Sequence, residues 1–219
     1  MTICYSFASR SRLQRFFETL DNIIVNSASN DFFIVAKLDI DDMTMNDELI
    51  KQKIADHYPM VIVKWGISNS KIHAINRDLE DLPHWDIMVC ASDDMRFRTI
   101  GFDDIIRQYM PADLDGYIHL MDDYAKDRVC TVDIKGRKYF ERRGRKIYVG
   151  DYYSMWSDDE ETEVAKILEV YILVPDIHIE HLHYTNGSKA PKDALYRRND
   201  TYLADKKIYE ERKARGFDL

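Results

Sequence analysis

The chain has 219 residues, of which 45% are hydrophobic and 32% charged, with eight glycines and five prolines. This composition is typical of a globular protein and excludes a disordered or low-complexity one, and the length suits a single domain. The formal charge of -8 argues against broad, sequence-independent binding of nucleic acid, because that binding depends on cations that neutralise phosphates.

The sequence shows no candidate for a membrane span. Its longest apolar runs, at residues 60–63 and 87–91, are far shorter than the roughly 20 residues that cross a bilayer. The N-terminal residues enter a strand-like segment with three arginines behind it, which is the wrong order for a secretory signal peptide. The three cysteines have no CxxC spacing and indicate no disulfide. We therefore expect a cytoplasmic protein.

The first half of the chain alternates between apolar runs and amphipathic segments. Strands are predicted at residues 2–8, 32–38, 60–63 and 86–91. Helices are predicted from apolar spacing at residues 13–24, 49–54 and 72–82. Because the strands are almost wholly apolar, the pattern is typical of parallel βαβ units with both sheet faces covered. Ligands of such sheets bind at the carboxyl ends of strands, where polar residues occur at 9–12, 39–42 and 92–95.

The second half changes character. Short antiparallel or irregular strands are predicted at residues 116–118, 129–134, 138–139 and 146–149. Helical spacing returns at residues 164–171, a strand at 177–182 carries histidines, and residues 200–215 predict a charged helix. Six basic residues between positions 137 and 146 predict a charged hairpin, which either clamps phosphate or is simply solvated.

Asp93 and Asp94 directly follow the fourth predicted strand. Two hard oxygen ligands at a strand end suit Mg²⁺ or Mn²⁺, which share their remaining positions with water and a substrate's phosphates. Such a cation neutralises the charge that develops on a departing diphosphate. An aspartate pair is also common in a solvated turn or a helix cap, so the pair by itself leaves both interpretations open.

The segments around this pair resemble the GT-A glycosyltransferases, particularly family-2 members and short transferase-like proteins often found in phages. Residues 70–77, Ser-Lys-Ile-His-Ala-Ile-Asn-Arg, are similar to the loop and helix that precede the family's metal strand. Residues 87–95, Ile-Met-Val-Cys-Ala-Ser-Asp-Asp-Met, are similar to the strand with its Asp-x-Asp motif, although Ala91 stands in place of the first Asp.

The resemblance implies an α/β fold: one GT-A, Rossmann-like domain over residues 1–219, with a mostly parallel central sheet and a smaller antiparallel region. Residues 1–98 would bind the nucleotide-sugar, and residues 99–219, with a C-terminal helix, would form the acceptor side. The implied donor is a nucleotide-diphospho-sugar held with Mn²⁺ or Mg²⁺. The implied donor-binding residues are Ser9, Arg10, Asp39, Asp41, Lys71, Asn76, Ser92 and Asp93. The implied metal ligands are Asp93, Asp94, His181 and His183.

Some of these assignments have simpler alternatives of similar weight. Asp41 and its neighbour Asp42 are also typical of residues that start a helix. His181 and His183 share a face of an extended segment, with His178 on the other, and are equally consistent with structural histidines. A zinc site is not indicated, because no cysteine or HExxH helix supplies further ligands.

Asp158 and Asp159 lie at the start of a predicted helix. Inverting sugar transfer requires a base opposite the leaving diphosphate, and a helix N-terminus keeps a carboxylate ionised. By the resemblance, Asp159 is the predicted catalytic base and Asp158 the second candidate. The same residue types are also common in the first turn of any helix, where they have no catalytic role.

The sequence therefore predicts a metal-dependent, inverting glycosyltransferase whose acceptor is a glycan, a protein or DNA. It would act in the cytoplasm, or in the host cytoplasm if a phage encodes it. One alternative is a non-catalytic GT-A-like binding or virion-associated protein, which Ala91 suggests. Another is a nucleotidyltransferase, although the first loop lacks the glycines that such enzymes use.

Overall fold

The computed structural model describes residues 1–183, Asn186 and residues 201–219, and its strands form one eight-stranded sheet in the order β3-β2-β1-β4-β7-β6-β8-β5. The strands are β1 (Ile3–Ser9), β2 (Phe32–Asp39), β3 (Val61–Gly66), β4 (Ile87–Cys90), β5 (Met95–Phe97), β6 (Tyr117–Asp122), β7 (Ile134–Gly136) and β8 (Tyr171–His181). The described helices are α1 (Leu13–Asn26), α2 (Glu48–His57), α3 (Lys71–Asn76), α4 (Phe102–Tyr109), α5 (Arg137–Arg142), α6 (Ser157–Ile167) and α7 (Tyr202–Ala214).

The strands of the first half are parallel. β1 pairs with both β2 and β4, and β2 pairs with β3. Side chains of β1 alternate between two apolar cores, since Tyr5 and Phe7 pack with α1 on one face while Cys4 packs with α3 on the other. Both faces are therefore covered, as the apolar strands predict, and the carboxyl ends of β1, β2 and β4 meet at one end of the sheet.

The remainder of the sheet is mixed. β7 is antiparallel to β4 and β6, whereas β8 is parallel to β6 and antiparallel to β5. These pairings confirm the predicted α/β fold with a smaller, partly antiparallel region. β8 begins at Tyr171, earlier than the strand predicted at residue 177, and residues 129–132 lie outside the strands. β5 was not predicted, because three residues are too few to show a period; α4 was also missed, although Phe102, Ile105, Ile106 and Tyr109 follow helical spacing.

The helix predicted to end before Pro83 ends instead at Asn76. Arg77 has an extended backbone, and its guanidinium donates to the carbonyl oxygens of Leu38 and Lys64. The next residue, Asp78, has a left-handed backbone that cannot continue the helix. The apolar side chain of Leu79 is nevertheless buried. The helical spacing therefore predicted the burial of this side chain correctly and its backbone conformation wrongly.

The basic segment is a helix and not the predicted hairpin, since α5 covers residues 137–142 and residues 146–149 form no strand. α5 starts where β7 approaches the loop before β6 so closely that a Cβ on Gly136 would collide with the Leu114 carbonyl. Arg137 pairs with Glu141, Lys138 with Asp113, Arg142 with Asp115 and Arg143 with Glu161. Acidic partners therefore offset most of the positive charge that suggested a phosphate clamp.

α7 confirms the predicted C-terminal helix and holds the loop before α6 in place. Its buried Asp205 accepts hydrogen bonds from the backbone N–H groups of Tyr153, Ser154 and Met155 at 2.8–3.0 Å. Its Arg212 donates to the buried Glu160 of α6 at 2.8 Å. The first residue of the predicted helix, Asp200, lies outside the described residues. No described helix is both long and apolar enough to span a bilayer.

A buried cation links β7 to α6 and carries a testable consequence. The ammonium of Lys135 is fully buried, 2.9 Å from Glu161 and 3.6 Å from Asp133. Replacing Lys135 with methionine is expected to destabilise the fold by about 3–5 kcal/mol, because it leaves buried acids without this cation. Urea unfolding measures the change. The exposed Lys138→Met variant is the matched control and should change stability by less than about 1 kcal/mol. Equal effects of the two substitutions would contradict the prediction.

Candidate functional site

A cavity of about 550 Å³ opens at the carboxyl ends of β1, β2 and β4. The loop after β3, the segment after β6, the start of α6 and the end of β8 contribute further parts of its wall. Most of the predicted site residues line it: Ser9, Arg10, Asp39, Lys71, Ser92, Asp93, Asp94, Asp158, Asp159, His181 and His183. The topology thus brings together side chains from both halves of the chain.

Asp93 and Asp94 are buried in the cavity wall just beyond β4. Asp93 accepts hydrogen bonds from the Ser9 hydroxyl at 2.8 Å and from the Arg12 guanidinium at 2.7 Å. Asp94 accepts one from the Ser92 hydroxyl at 2.5 Å, and Arg12 lies 3.9 Å from it. Burial raises the pKa of Asp93, and the charge of Asp94 raises it further, while Arg12 opposes both effects. A cation entering here would therefore compete with Arg12 for concentrated negative charge.

The four predicted metal ligands line the cavity but do not form a preassembled cage. In the part of the chain that the structure describes, no group of three or more His, Cys, Asp or Glu side chains is arranged to hold a metal ion. Magnesium-type sites usually take only one or two protein carboxylates, with phosphates and water completing the shell. The two adjacent carboxylates fit such a shared site.

The imidazole of His183 lines the same cavity as the two carboxylates. Burial and the neighbouring His181 lower the pKa of His183 to about 4, with Asp94 opposing the shift. The ring is therefore neutral near pH 7 and keeps a nitrogen lone pair.

Asp39 ends β2 at another part of the cavity wall. It accepts hydrogen bonds from Ser68 at 2.6 Å and from Arg10 at 2.8 Å. Arg10 also binds both carboxylate oxygens of Asp41, which is exposed and does not line the cavity. The carboxylate of Asp39 thus occupies the strand end where the resemblance placed nucleoside recognition, and Ser68 is a partner that the sequence did not suggest.

The alternative that the acidic stretch after β2 starts a helix is wrong for this chain. α2 begins at Glu48, and Asp47 is its N-cap, with a side chain that accepts from the N–H groups of Leu49 and Ile50. Asp42 instead accepts a hydrogen bond from the Ser11 N–H at 2.6 Å, so it fixes the loop between β1 and α1. That loop contributes Arg10 and Arg12 to the cavity.

Lys71 lines the cavity at the start of α3, whereas Asn76, at the end of the same helix, does not. The Asn76 amide binds the backbone of residues 147–148, accepting two N–H bonds and donating to the Tyr148 carbonyl at 2.7 Å. Asn76 therefore fixes a loop behind the cavity. Lys37, which the sequence did not single out, does line the cavity; burial lowers its pKa to about 8.

Asp158 and Asp159 lie in the first turn of α6, as predicted. Burial, with the charge of the adjacent Asp158, raises the pKa of Asp159 to about 7 against the opposing charge of Arg128. Trp156, directly before α6, has a left-handed backbone and also lines the cavity. The helix start therefore presents a carboxyl group whose pKa suits general-base chemistry near neutral pH.

His181 and His183 lie at the end of β8 and just beyond it, with ring centroids 5.4 Å apart. The ring of Tyr124 lies 5.9 Å from each of them, so the three rings form one wall of the cavity. His178 is exposed elsewhere on β8 and does not line the cavity, as the alternation along a strand predicts.

No family model matches the chain, and no curated protein matches its sequence. Solved structures do match. The mannosyltransferase PcManGT from Pyrobaculum calidifontis, in complex with GDP-Man and Mn²⁺, superposes with a TM-score of 0.67 at 16% identity over 82% of this chain. TarS 1-349 from S. aureus in complex with UDP-GlcNAc gives 0.62 at 10% identity over 87%. GalNAc-T7 with UDP, GalNAc and Mn²⁺ gives 0.64 at 10% over 83%.

The chain has the GT-A glycosyltransferase fold. It matches only part of each neighbour, 56% of the PcManGT chain, 62% of TarS 1-349 and 44% of GalNAc-T7. At these identities the likeness establishes the fold alone, and the chemistry has to be argued from the cavity. The predicted resemblance to GT-A proteins is confirmed at that level.

Proposed function

We propose that this chain is a metal-dependent glycosyltransferase that moves a sugar from a nucleoside-diphosphate donor to an acceptor hydroxyl with inversion. One observation carries the proposal: in a GT-A fold, a single cavity is lined both by the paired acids after β4 and by the paired acids at the start of α6. The first pair suits a cation and diphosphate, and the second suits a base. The structures of PcManGT with GDP-Man and Mn²⁺ and of GalNAc-T7 with UDP, GalNAc and Mn²⁺ support the metal and donor parts of this assignment.

On this proposal, the donor lies along the carboxyl ends of β1, β2 and β4. Asp39 accepts hydrogen bonds from the nucleoside, and the nearby Arg10, Lys71 and Ser92 line the donor's path through the cavity. Asp93 and Asp94 would hold a divalent cation together with the donor's phosphates, and the cation would supply charge neutralisation for the leaving diphosphate. Arg12, already bound to Asp93, adds a second positive charge at the same place.

Asp159 is the proposed base. Its carboxylate takes the proton from the acceptor hydroxyl as the acceptor oxygen bonds to the sugar's anomeric carbon. The bond from that carbon to the diphosphate oxygen breaks, and its electron pair stays on the diphosphate. Asp158 accepts a hydrogen bond from the Asp159 backbone N–H at 3.2 Å, and its charge helps to keep the Asp159 pKa high.

The missing first aspartate of the family motif bears directly on catalysis. Ala91 is buried, and its methyl group belongs to the apolar core that also contains Ile87 and Val89. Cation binding therefore rests on Asp93 and Asp94 alone among the motif positions. This feature favours the alternative of a non-catalytic binding protein, so the test must separate binding from turnover.

The charge distribution around α5 bears on the class of acceptor. The pairing of α5 arginines and lysines with acidic residues weakens the argument for DNA, because paired cations release fewer counterions on binding phosphate. We therefore favour a glycan or a protein as the acceptor.

The proposal is tested by calorimetric titration with UDP and GDP, in Mn²⁺ and in EDTA, and by a panel of nucleotide-sugars assayed for Mn²⁺-dependent hydrolysis. We expect one nucleotide to bind at least about tenfold more tightly in Mn²⁺ and one donor to be hydrolysed. Metal-dependent binding without turnover of any donor or acceptor would indicate the non-catalytic alternative. A chain that binds neither nucleotide would contradict both.

A further inference from the structure

Two aromatic side chains line the cavity beside the acids of α6 and have no role in the transfer described above. Trp156 directly precedes α6, and Tyr202 is the first residue of α7. Their ring centroids lie 5.3 Å apart, with the ring planes inclined at 54°. Asp158 and Asp159 follow Trp156 closely in the chain and line the same cavity. The aromatic pair therefore lies on the part of the wall that also carries the proposed base.

The backbone holds Trp156 in an unusual conformation. Its φ of 66° lies in the left-handed region, which bulky residues rarely adopt. The carboxylate of Asp205 fixes the three preceding residues through their backbone N–H groups, and α6 begins at the next residue. Backbone strain of this kind persists only where the surrounding contacts enforce it, and it clusters at active sites and ligand-binding sites. The fold thus fixes the place from which the Trp156 side chain extends.

α7 supports the indole ring of Trp156 from one side. Tyr202, Lys206 and Tyr209 share one face of this helix, by their spacing of four and three residues. The ring centroid of Tyr209 lies 5.1 Å from that of Trp156, and the Lys206 ammonium lies 5.8 Å from the same ring. Trp156 nevertheless lines the cavity and is only half-buried. The part of the ring that α7 leaves uncovered is therefore available to a ligand.

A fixed aromatic surface beside carboxylates suits a ligand that is apolar on one face and rich in hydroxyls at its edge. A pyranose ring has both properties, because its C–H groups pack against an aromatic ring while its hydroxyls donate to carboxylates. A nucleobase would also stack on these side chains, but the adjacent acids would repel the phosphates attached to it. The combination favours a neutral sugar over a nucleic acid.

We propose that Trp156 and Tyr202 form a subsite for a neutral pyranose ring, so that the acceptor of this chain is a glycan. The sugar packs on the aromatic pair, and a hydroxyl of the glycan reaches Asp159. The inference rests on the proposed function for the identification of the bound sugar as an acceptor. The subsite itself does not, because this chain forms it without a donor or a metal.

The first experiment measures sugar binding by the protein without metal or donor. Tryptophan fluorescence is followed during titration with hexasaccharides of glucose, N-acetylglucosamine, mannose, galactose and xylose. The chain has three tryptophans, all within the described residues, and Trp65 and Trp85 do not line the cavity. We expect at least one hexasaccharide to shift the emission, and the shift to disappear in Trp156→Phe. No shift with any hexasaccharide, or a shift that persists in Trp156→Phe, would overturn the inference.

The second experiment removes the other ring. Tyr202 is 46% exposed, so the fold should tolerate Tyr202→Leu, and thermal unfolding checks that it does. We expect its calorimetric affinity for the bound hexasaccharide to fall about tenfold, whereas Tyr202→Phe, which keeps the ring, should bind as wild type does. Tyr153→Leu is the matched control, because Tyr153 is 57% exposed on the loop before α6 but does not line the cavity. Equal losses in Tyr202→Leu and Tyr153→Leu would contradict the subsite.

Transfer assays separate this inference from the proposed function. With the glycan as acceptor, Tyr202→Leu should raise the KM for the glycan about tenfold and leave kcat and donor affinity nearly unchanged. Hexasaccharide binding that depends on Tyr202, without transfer from any donor, would contradict the proposed function and support the subsite. Transfer to a protein hydroxyl, or to a glycan whose KM is the same in Tyr202→Leu, would overturn the subsite and support the proposed function.

Discussion

Asp159→Asn is expected to lower the rate of sugar transfer by about 10²- to 10⁴-fold while leaving affinity for the donor nearly unchanged. Asparagine has almost the same shape as aspartate but cannot take the acceptor's proton. The residue lies at the start of α6, whereas the proposed cation and diphosphate lie beside the residues that follow β4. Transfer should be followed with saturating donor, and donor affinity by calorimetry in Mn²⁺.

Two further variants make that result specific. Asp158→Asn removes the neighbouring charge and identifies which acid is the base, since only the true base should show the full loss of transfer. Glu163→Gln alters the next turn of the same helix, where the side chain binds Lys213 and Tyr209 outside the cavity, and should leave transfer unchanged. Parallel loss of donor binding and transfer in Asp159→Asn would instead assign it a structural role.

The same base predicts a pH profile. Because burial and Asp158 raise the pKa of Asp159 to about 7, the carboxylate form that can act as a base is present above that pH and is lost below it. We expect kcat/KM to rise through about pH 7 and then level off, since this ratio reports the free enzyme. A profile that stays flat down to pH 5 would exclude Asp159 as the base.

Replacing both Asp93 and Asp94 with asparagine is expected to weaken Mn²⁺-dependent binding of UDP or GDP by about 100-fold or more, equivalent to about 2.7 kcal/mol. The substitutions remove two negative charges from the cavity wall and leave the buried Arg12 without its 2.7 Å partner. The positive charge that remains should repel a cation. In EDTA the difference between wild type and variant should largely disappear, because the effect depends on the metal.

A matched double substitution controls for the change in net charge. Asp113 and Asp115 bind Lys138 and Arg142 on the surface, and neither lines the cavity. Asp113→Asn with Asp115→Asn should therefore leave nucleotide binding unchanged. Thermal unfolding of both double variants checks that the protein still folds. Undiminished nucleotide binding by the folded Asp93 and Asp94 variant would remove the basis for a metal site after β4.

Sequence reasoning identified several parts of the cavity because each has a local signal. The pair Asp93-Asp94 follows an apolar strand, and the pair Asp158-Asp159 lies in the first turn of a helix. Both patterns depend on neighbours within a few positions of the chain. The GT-A fold then explains why two such distant pairs line one cavity, since both the carboxyl end of β4 and the start of α6 contribute to its wall.

The errors also have a physical cause. Asn76 was assigned to the donor site from its motif, yet its amide is used by the backbone of residues 147–148. The six basic residues around Gly136 were expected to form a hairpin, yet acidic residues from other segments pair with three of them, Lys138, Arg142 and Arg143. In each case, the partner is remote in sequence, so no local pattern could reveal that the side chain was already occupied.

The amino-acid sequence by itself determined the alternation of buried strands and helices, the polar strand ends and the acidic start of α6, because hydrophobic period and helix capping act between near neighbours. Only the tertiary structure decided that Arg12 would bind Asp93 and that Asp122 would lie within hydrogen-bond distance of His181. These pairs are 81 and 59 residues apart in the chain. Contacts of that kind depend on strand order and register, which are set by the packing of the whole sheet.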